Sequence, residues 1–226
     1  MTSERLSVAS WNVHQGLHND GGTLDVLAGL QRIDADVVAL QEGWWHETDR
    51  SIAVGTAREL GYEVSEVIGA PRSGRHTKRR IALLSRHPIR SEHHVLLPSD
   101  RRRERRPVLT IDVGGLCIAA THLHGIHLMK RSPRAWRREL AAFASAASAA
   151  DVVMGDLNMW SPPIHRALDG HRAAVVGRTW PSWRPHSQID HIMVAERVDV
   201  SEAAVLPDMG SDHRAVRAVL EFAPRN

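Results

Sequence analysis

Six short clusters along the chain carry groups that hydrolytic chemistry uses. They are Trp11-Asn12-Val13-His14, Leu40-Gln41-Glu42, Thr121-His122-Leu123, Gly155-Asp156-Leu157-Asn158, Gln188-Ile189-Asp190-His191 and Gly210-Ser211-Asp212-His213. Each offers a carboxylate, a carboxamide or an imidazole beside a short apolar run. A divalent metal, an activated water and a proton donor together need these groups. Glu42, ending the run Val37-Val38-Ala39-Leu40, can bind a hard cation; Asn12 adds a neutral oxygen and Asp212 a second carboxylate. An all-oxygen set suits Mg2+, with Mn2+ as the alternative, better than Zn2+. Asp156 and Asn158, two apart, are expected on one face of an extended segment. There one accepts a proton from water while the other orients it. Gly155 is expected to let the backbone approach a ligand closely. Asp190 and His213 read as a pair, in which a buried carboxylate orients an imidazole and stabilises its protonated form.

The histidine-dense stretch Thr121-His122-Leu123-His124-Gly125-Ile126-His127 has no cysteine or acid at zinc-ligand spacing. His122 is expected to face the site with His124 on the same face, and His127 receives no role. No Gly-x-Ser-x-Gly occurs, which argues against a serine hydrolase. Singly, most of these clusters read as ordinary turns or exposed acids; their joint occurrence carries the chemistry.

These groups need elements to position them. Strand-length apolar runs lie at residues 6–11, 37–40, 81–84, 108–113, 117–121, 152–154, 189–194 and 215–222. Helical spacing marks residues 23–32 and 52–60. Residues 132–149 open with Ser132-Pro133, an N-cap and first-turn pair, and continue Ala-rich. Asn12, Glu42, His122, Asp156 and Asn158 fall at or just beyond C-terminal strand ends, Asp190 within a strand, and Asp212-His213 in the turn before the last strand. Two packed sheets with helices on their outer faces would bring them to one rim.

At 226 residues the chain is expected to form one domain spanning 1–226. Its formal charge is only +3, yet Lys78-Arg79-Arg80, Arg101-Arg102-Arg103-Glu104-Arg105-Arg106 and Lys130-Arg131 with Arg134, Arg137 and Arg138 are basic blocks able to attract phosphates. Trp44-Trp45 and Trp180-Pro181-Ser182-Trp183 should flank the rim, where aromatics can stack on bases or pack in the core. Cys117 is the one cysteine, so no internal disulfide can form. No apolar stretch approaches the ~20 residues of a membrane span, and a soluble, cytoplasmic monomer is expected.

The ordered motifs resemble those of the endonuclease/exonuclease/phosphatase superfamily, the deoxyribonuclease I-like enzymes, in its small bacterial form. The resemblance covers nearly the whole chain. It implies a four-layer α/β/β/α sandwich of two packed mixed sheets with outer helices, and metal-dependent attack of water on a phosphoester. It implies that Glu42, Asn12 and Asp212 hold Mg2+, that Asp156 activates or positions the water, and that Asn158 binds a phosphate oxygen. His213, held by Asp190, would contact the phosphate, with His122 on the phosphate or leaving-group side. Glu42 is followed by Gly43-Trp44-Trp45 without the lysine of the exonuclease III type, and Thr121-His122-Leu123 replaces that type's tyrosine motif. Abasic-site repair is therefore disfavoured. Arg80 stands where a glycine is frequent. The expected activity is a phosphodiesterase or nuclease acting on a phosphoester, with nucleic acid as a candidate substrate. The alternative is a phosphatase or phospholipase acting on a phospholipid or sugar-phosphate headgroup. A non-catalytic phosphate-binding module would not need every one of these groups.

Overall fold

The computed structural model describes residues 3–46, 48, 50–70, 80–99, 104–125 and 130–223. Among the described residues, twelve strands fall into two six-stranded sheets. The first sheet contains β1 (Glu4–Asn12), β2 (Val37–Gln41), β3 (Glu63–Ile68), β4 (Arg80–Ser85), β11 (Val198–Val205) and β12 (Val216–Phe222), in the order β11-β12-β1-β2-β4-β3. The second contains β5 (Ser91–Leu96), β6 (Pro107–Val113), β7 (Leu116–His122), β8 (Val152–Asp156), β9 (His171–Ala173) and β10 (Asp190–Ala195), in the order β5-β6-β7-β8-β10-β9.

Each sheet has one parallel pair at its centre, β1 with β2 and β7 with β8; every other pairing is antiparallel. Parallel neighbours need a crossover, and a helix supplies it in both cases. Helix α1 (Val26–Ile33) connects β1 to β2, and α3 (Pro133–Ala147) connects β7 to β8. Strands covered on both faces must be apolar throughout. Accordingly Val37–Gln41 and Val152–Asp156 are buried at every residue.

Leu6, Val8, Leu83, Ile111, Ile118, Met154, Ile192 and Leu220 fill the space between the sheets. Outside the first sheet, Trp11, Val38 and Leu84 pack on Leu30 and Ile33 of α1 and on Ile52 of α2 (Ile52–Ala57). Outside the second, Ala119, Val153 and Met193 pack on Phe143 of α3 and Ile164 of α4 (Ser161–Ala167). The result is the expected α/β/β/α sandwich. No described helix is long and apolar enough to cross a membrane.

Helix α3 matches its expected span, but Ser132 makes no side-chain cap, and the first turn holds no acid. Lys130 and Arg131 precede it and Arg134 lies in it, the unfavourable sign for a helix N-terminus. The helix dipole therefore does not account for Arg134.

Gly155 serves a different purpose from the one expected. Its φ is 145°, and a Cβ there would lie 2.0 Å from the Thr121 carbonyl oxygen of β7. The close approach is between two strand backbones, not to a ligand. Gly155→Ala should force β7 and β8 apart where His122 and Asp156 end them. The expected loss is at least about 2 kcal/mol, from overpacking plus a left-handed φ. Urea denaturation measures it, and an unchanged midpoint would show that the strand pair is not tightly set.

Candidate active site

Parallel strands leave a sheet at the same end, so their C-termini gather side chains on one rim. Asn12 is in register with Gln41 where β1 and β2 end. His122 is in register with Asp156 where β7 and β8 end, and Asp190 opens β10 opposite Asp156. Strand β1 packs across the core on β8, which lets Asn12 Nδ2 donate to Asp156 Oδ2 at 3.0 Å. His122 Nε2 lies 3.3 Å from the same oxygen, and its Nδ1 lies 4.0 Å from Glu42 Oε1. His213 Nδ1 donates to Asp190, 3.1 and 3.0 Å from the two carboxylate oxygens, while its Nε2 faces Asp156 Oδ2 at 3.8 Å. Asp212 Oδ1 is 3.9 Å from His213 Nε2. All eight residues singled out in the sequence thus lie at or beside one rim.

Asn158 is placed differently from its expectation. Strand β8 stops at Asp156, and Asn158 has φ 53° rather than an extended conformation. Its backbone N–H donates to Asp156 Oδ1 at 2.9 Å, and its Nδ2 donates to the Leu123 carbonyl at 3.0 Å. It braces the Asp156 carboxylate instead of sharing a strand face with it. Asp190, likewise, begins its strand rather than lying inside it.

His14, Gln15 and Thr179 gave no separable signal in the sequence, and Ser211 stood in its cluster without a role. His14 Nδ1 lies 3.7 Å from Asp212 Oδ1, and the His14 N–H donates to Asn12 Oδ1 at 3.0 Å. Gln15 Nε2 donates to Glu42 Oε2 at 2.9 Å. Ser211 Oγ donates to the Asn12 carbonyl at 2.6 Å, fastening the 210–213 turn to the end of β1. Thr179 Oγ1 accepts from the Ile189 and Asp190 N–H groups at 3.2 and 3.3 Å. His14, Gln15, Glu42 and Asn158 all have positive φ, between 44° and 58°. Non-glycine residues adopt this conformation only when their surroundings impose it, and such strain collects at functional sites. It could not have been read from spacing.

The electrostatics follow from enclosure. Burial pushes the Asp156 carboxyl up to about 7; the His213 charge opposes this, and the Asp190 charge adds to it. Burial would lower the His213 pKa, but the Asp190 and Asp156 carboxylates overcome it and raise the imidazole to about 10. The two groups are driven apart from their usual values, as acid–base sites require.

The residues also fit a hard divalent cation. Asp212 Oδ1 is buried and has no hydrogen-bond partner among the described residues. Glu42 presents a second carboxylate on the same rim, and Asn12 Oδ1 adds an oxygen that accepts from the His14 N–H. The buried Asp156, Asp190 and His213, whose ligand atoms lie within 4.8 Å of one another, could hold a metal as well. Both Asp190 oxygens already accept from His213, which makes that carboxylate the poorer ligand.

His124 does not face this rim. The strand ends at His122, so the two-residue alternation does not continue. His124 turns into the helical layer, where Nδ1 meets Glu139 Oε1 of α3 at 2.6 Å and Nε2 lies 3.7 Å from Glu104 Oε1. Burial lowers the His124 pKa, but Glu104 and Glu139 together outweigh it and hold the imidazole above its ordinary value. A raised histidine pKa gives stability that is full below the unfolded value of roughly 6.5 and is lost as pH rises through the folded value. His124→Ala should cost about 3–5 kcal/mol near pH 6, because Glu139 stays buried without its partner. The cost should shrink at higher pH. Urea melts of both proteins from pH 6 to 9 check this; a pH-independent difference would mean that His124 packs as a neutral ring.

The basic blocks separate by role. Arg80 pairs with Glu66 at 2.8 Å, the Arg105 guanidinium donates to the Leu96 and Leu97 carbonyls, and buried Arg106 pairs with Glu104 at 3.3 Å. These are architectural. Lys130, Arg131, Arg134, Arg137 and Arg138 are exposed. Lys78, Arg79, Arg101, Arg102, Arg103 and His127 lie outside the described residues. Of the tryptophans expected at the rim, Trp44 is buried and Trp180 is half-buried, edge-on to His186 at 5.3 Å between ring centroids; Trp183 is exposed.

A sequence model of the Endonuclease/Exonuclease/phosphatase family matches residues 9–213. No curated protein matches the chain by sequence. Among solved structures, the chain is similar to an endonuclease/exonuclease/phosphatase from Beutenbergia cavernae, at 23% identity and TM-score 0.75, over 97% of this chain and 72% of that one. It is also similar to the 3' phosphatase NExo from Neisseria bound to a product DNA hairpin, at 18% identity and TM-score 0.69, over 94% and 98% of the two chains. A third likeness is to D. rerio TDP2 complexed with a single strand DNA product, at 17% identity and TM-score 0.68, over 96% and 98%. At these identities the likenesses establish the fold.

Proposed function

Since the chain belongs to the endonuclease/exonuclease/phosphatase family, we propose that it is a metal-dependent phosphodiesterase that cleaves a P–O bond by in-line attack of water. The observation that carries this reading is the buried Asp156 carboxylate, met at once by Asn12 from the first sheet, His122 from the second and His213 from the last turn. Asn12, Glu42 and Asp212 would hold Mg2+, with Mn2+ as the alternative. When bound, such an ion stabilises charge developing on the phosphate and leaving oxygen.

Asp156 accepts a proton from the attacking water; Asn12 Nδ2 and the Asn158 N–H fix its two oxygens in place. His213, oriented by Asp190, presents its Nε2 proton to the phosphate oxygens as charge grows there. His122 lies between Glu42 and Asp156 and is assigned to the leaving-group side, where it returns a proton to the departing oxygen. Nucleic-acid diesters are the favoured substrates. The NExo 3' phosphatase and TDP2 structures bound to DNA products support nucleic acid as the substrate class, as does the exposed basic face of α3; the choice of the diester bond rests on the site chemistry.

The test is hydrolysis across single-stranded DNA, RNA, plasmid DNA, bis(p-nitrophenyl) phosphate, phosphomonoesters and phospholipid vesicles, with Mg2+, with Mn2+ and with EDTA. Diester cleavage silenced by EDTA and restored by either ion is expected. Full activity in EDTA would end the metal assignment, turnover of monoesters alone would end the diesterase assignment, and cleavage of phospholipids alone would end the nucleic-acid assignment.

A further inference from the structure

Seven tryptophans occur in the chain, and only Trp160 and Trp183 are exposed, at 58% and 63%. An indole left in water forgoes a large part of the stabilisation its burial would give. Both sit on backbone bonded to the catalytic segments. Trp160 follows Asn158 by two residues, and the neighbouring Met159 carbonyl accepts from His191 Nε2 at 2.9 Å. Trp183 follows Ser182, whose N–H donates to the Asp212 carbonyl at 2.8 Å and whose own carbonyl accepts from Arg214 Nε at 2.8 Å. Both indoles come from segments that join strands of the second sheet, but they have different neighbours. Trp160 precedes α4, whereas Trp183 lines a groove with His18, Arg32 and Met209.

Beyond Trp160 the surface is cationic. The one acid of α3, Glu139, is buried against His124, and α4 has none. Arg137 of α3 and Arg166 of α4 edge a shared groove whose floor is apolar, with Trp136, Leu140 and Pro163. Lys130, Arg131, Arg134 and Arg138 are exposed on or just before α3, and Arg134 lies in its first turn, where the helix dipole disfavours a cation.

We propose that these features form a binding track for single-stranded nucleic acid, with unpaired bases stacked on Trp160 and Trp183 and the backbone phosphates led along α3 and α4. Flat exposed aromatics take any base by its π-face, and a cationic groove takes the phosphates between them. A duplex keeps its bases stacked on one another and offers the indoles nothing. The inference deepens the phosphodiesterase reading, but its test needs no turnover.

Binding of a fluorescein-labelled 12-nucleotide single strand, measured by anisotropy in EDTA, provides that test. Trp160→Ala and Trp183→Ala should each weaken binding on the order of tenfold, and Trp160→Phe should recover most of the loss. A strand of the same length with abasic sugars at every position keeps all the phosphates and should not distinguish the tryptophan variants from wild type. Arg134→Ser with Arg137→Ser should weaken both strands alike and lower the slope of log affinity against log salt by roughly 1–1.5. Unchanged binding of the base-bearing strand by the tryptophan variants would overturn the proposal, and so would equal weakening of both strands. Tryptophan-dependent sedimentation with phosphatidylglycerol vesicles, without tryptophan-dependent strand binding, would assign the indoles to a lipid surface instead. If no diester is cleaved in the hydrolysis test yet the tryptophan-dependent binding stands, the phosphodiesterase reading fails and the track does not.

Discussion

His213→Ala should lower kcat on a phosphodiester by on the order of 10²–10⁴-fold, the range for a group that takes part in proton transfer and charge stabilisation. Asp190→Asn should lose most of the same factor, although Asp190 is fully buried and its hydrogen bonds at the rim go to His213. The reason is geometric. Both Asp190 oxygens lie within 3.1 Å of His213 Nδ1, so one carboxylate fixes the ring, its tautomer and its charge together. An asparagine can accept with one atom only, and its amide nitrogen would face the Nδ1 proton. Groups acting as one unit are non-additive, so the double variant should be little slower than either single one. Steady-state kinetics of the three variants decide the matter. If the losses multiply, Asp190 acts separately from His213 and the pairing is wrong.

The strands most legible in the sequence were those the fold buries on both faces. Val37–Gln41 and Val152–Asp156 are nearly continuous apolar runs, and a central strand requires that. The unread strands are edge or short ones. Strand β11 is exposed along most of its length and bulged between Val200 and Glu202, so its apolar pattern is broken. Strand β9 has three residues. Strand β3 does alternate between buried and exposed positions, but Glu63 and Glu66 interrupt the apolar run that marked the others. Helix α4 begins Ser161-Pro162-Pro163 and is too short to show a period.

The site was legible for a related reason: a carboxylate, carboxamide or imidazole at the end of a buried central strand is out of place unless the rim uses it. The same reasoning failed one step beyond each strand. It placed His124 beside His122 and Asn158 beside Asp156, because it carried the two-residue alternation past the point where the ladder stops. The support from His14 and Gln15 depends on left-handed turns, that from Ser211 on a contact 199 residues along the chain, and that from Thr179 on an irregular loop; none leaves a mark in local spacing.

Asp156→Asn should separate activity from stability. Activity should fall on the order of 10²–10⁴-fold, since an amide cannot take a proton from water. The fold should not suffer. Burial and the Asp190 charge raise the Asp156 carboxyl to about 7, from an ordinary 3.8, despite the pull of His213. A carboxyl whose folded pKa is raised destabilises the protein increasingly as pH climbs from its unfolded pKa to its folded one. Near pH 7 the wild type therefore bears a cost that the uncharged isostere avoids. The asparagine can still accept from Asn12 or the Asn158 N–H with its one oxygen, so the bracing at 3.0 and 2.9 Å is only partly lost. In EDTA at pH 7.5 the variant should melt a few degrees higher; for a domain of this size about 2–4 °C corresponds to 1 kcal/mol. At pH 4.5, where the wild-type carboxyl is mostly protonated in the fold, the advantage should largely vanish. A functional site that trades stability for a charged base gives this pattern. If the variant melts several degrees lower at both pH values, Asp156 is first a structural anchor between the two sheets, and its assignment as the base has to be given up.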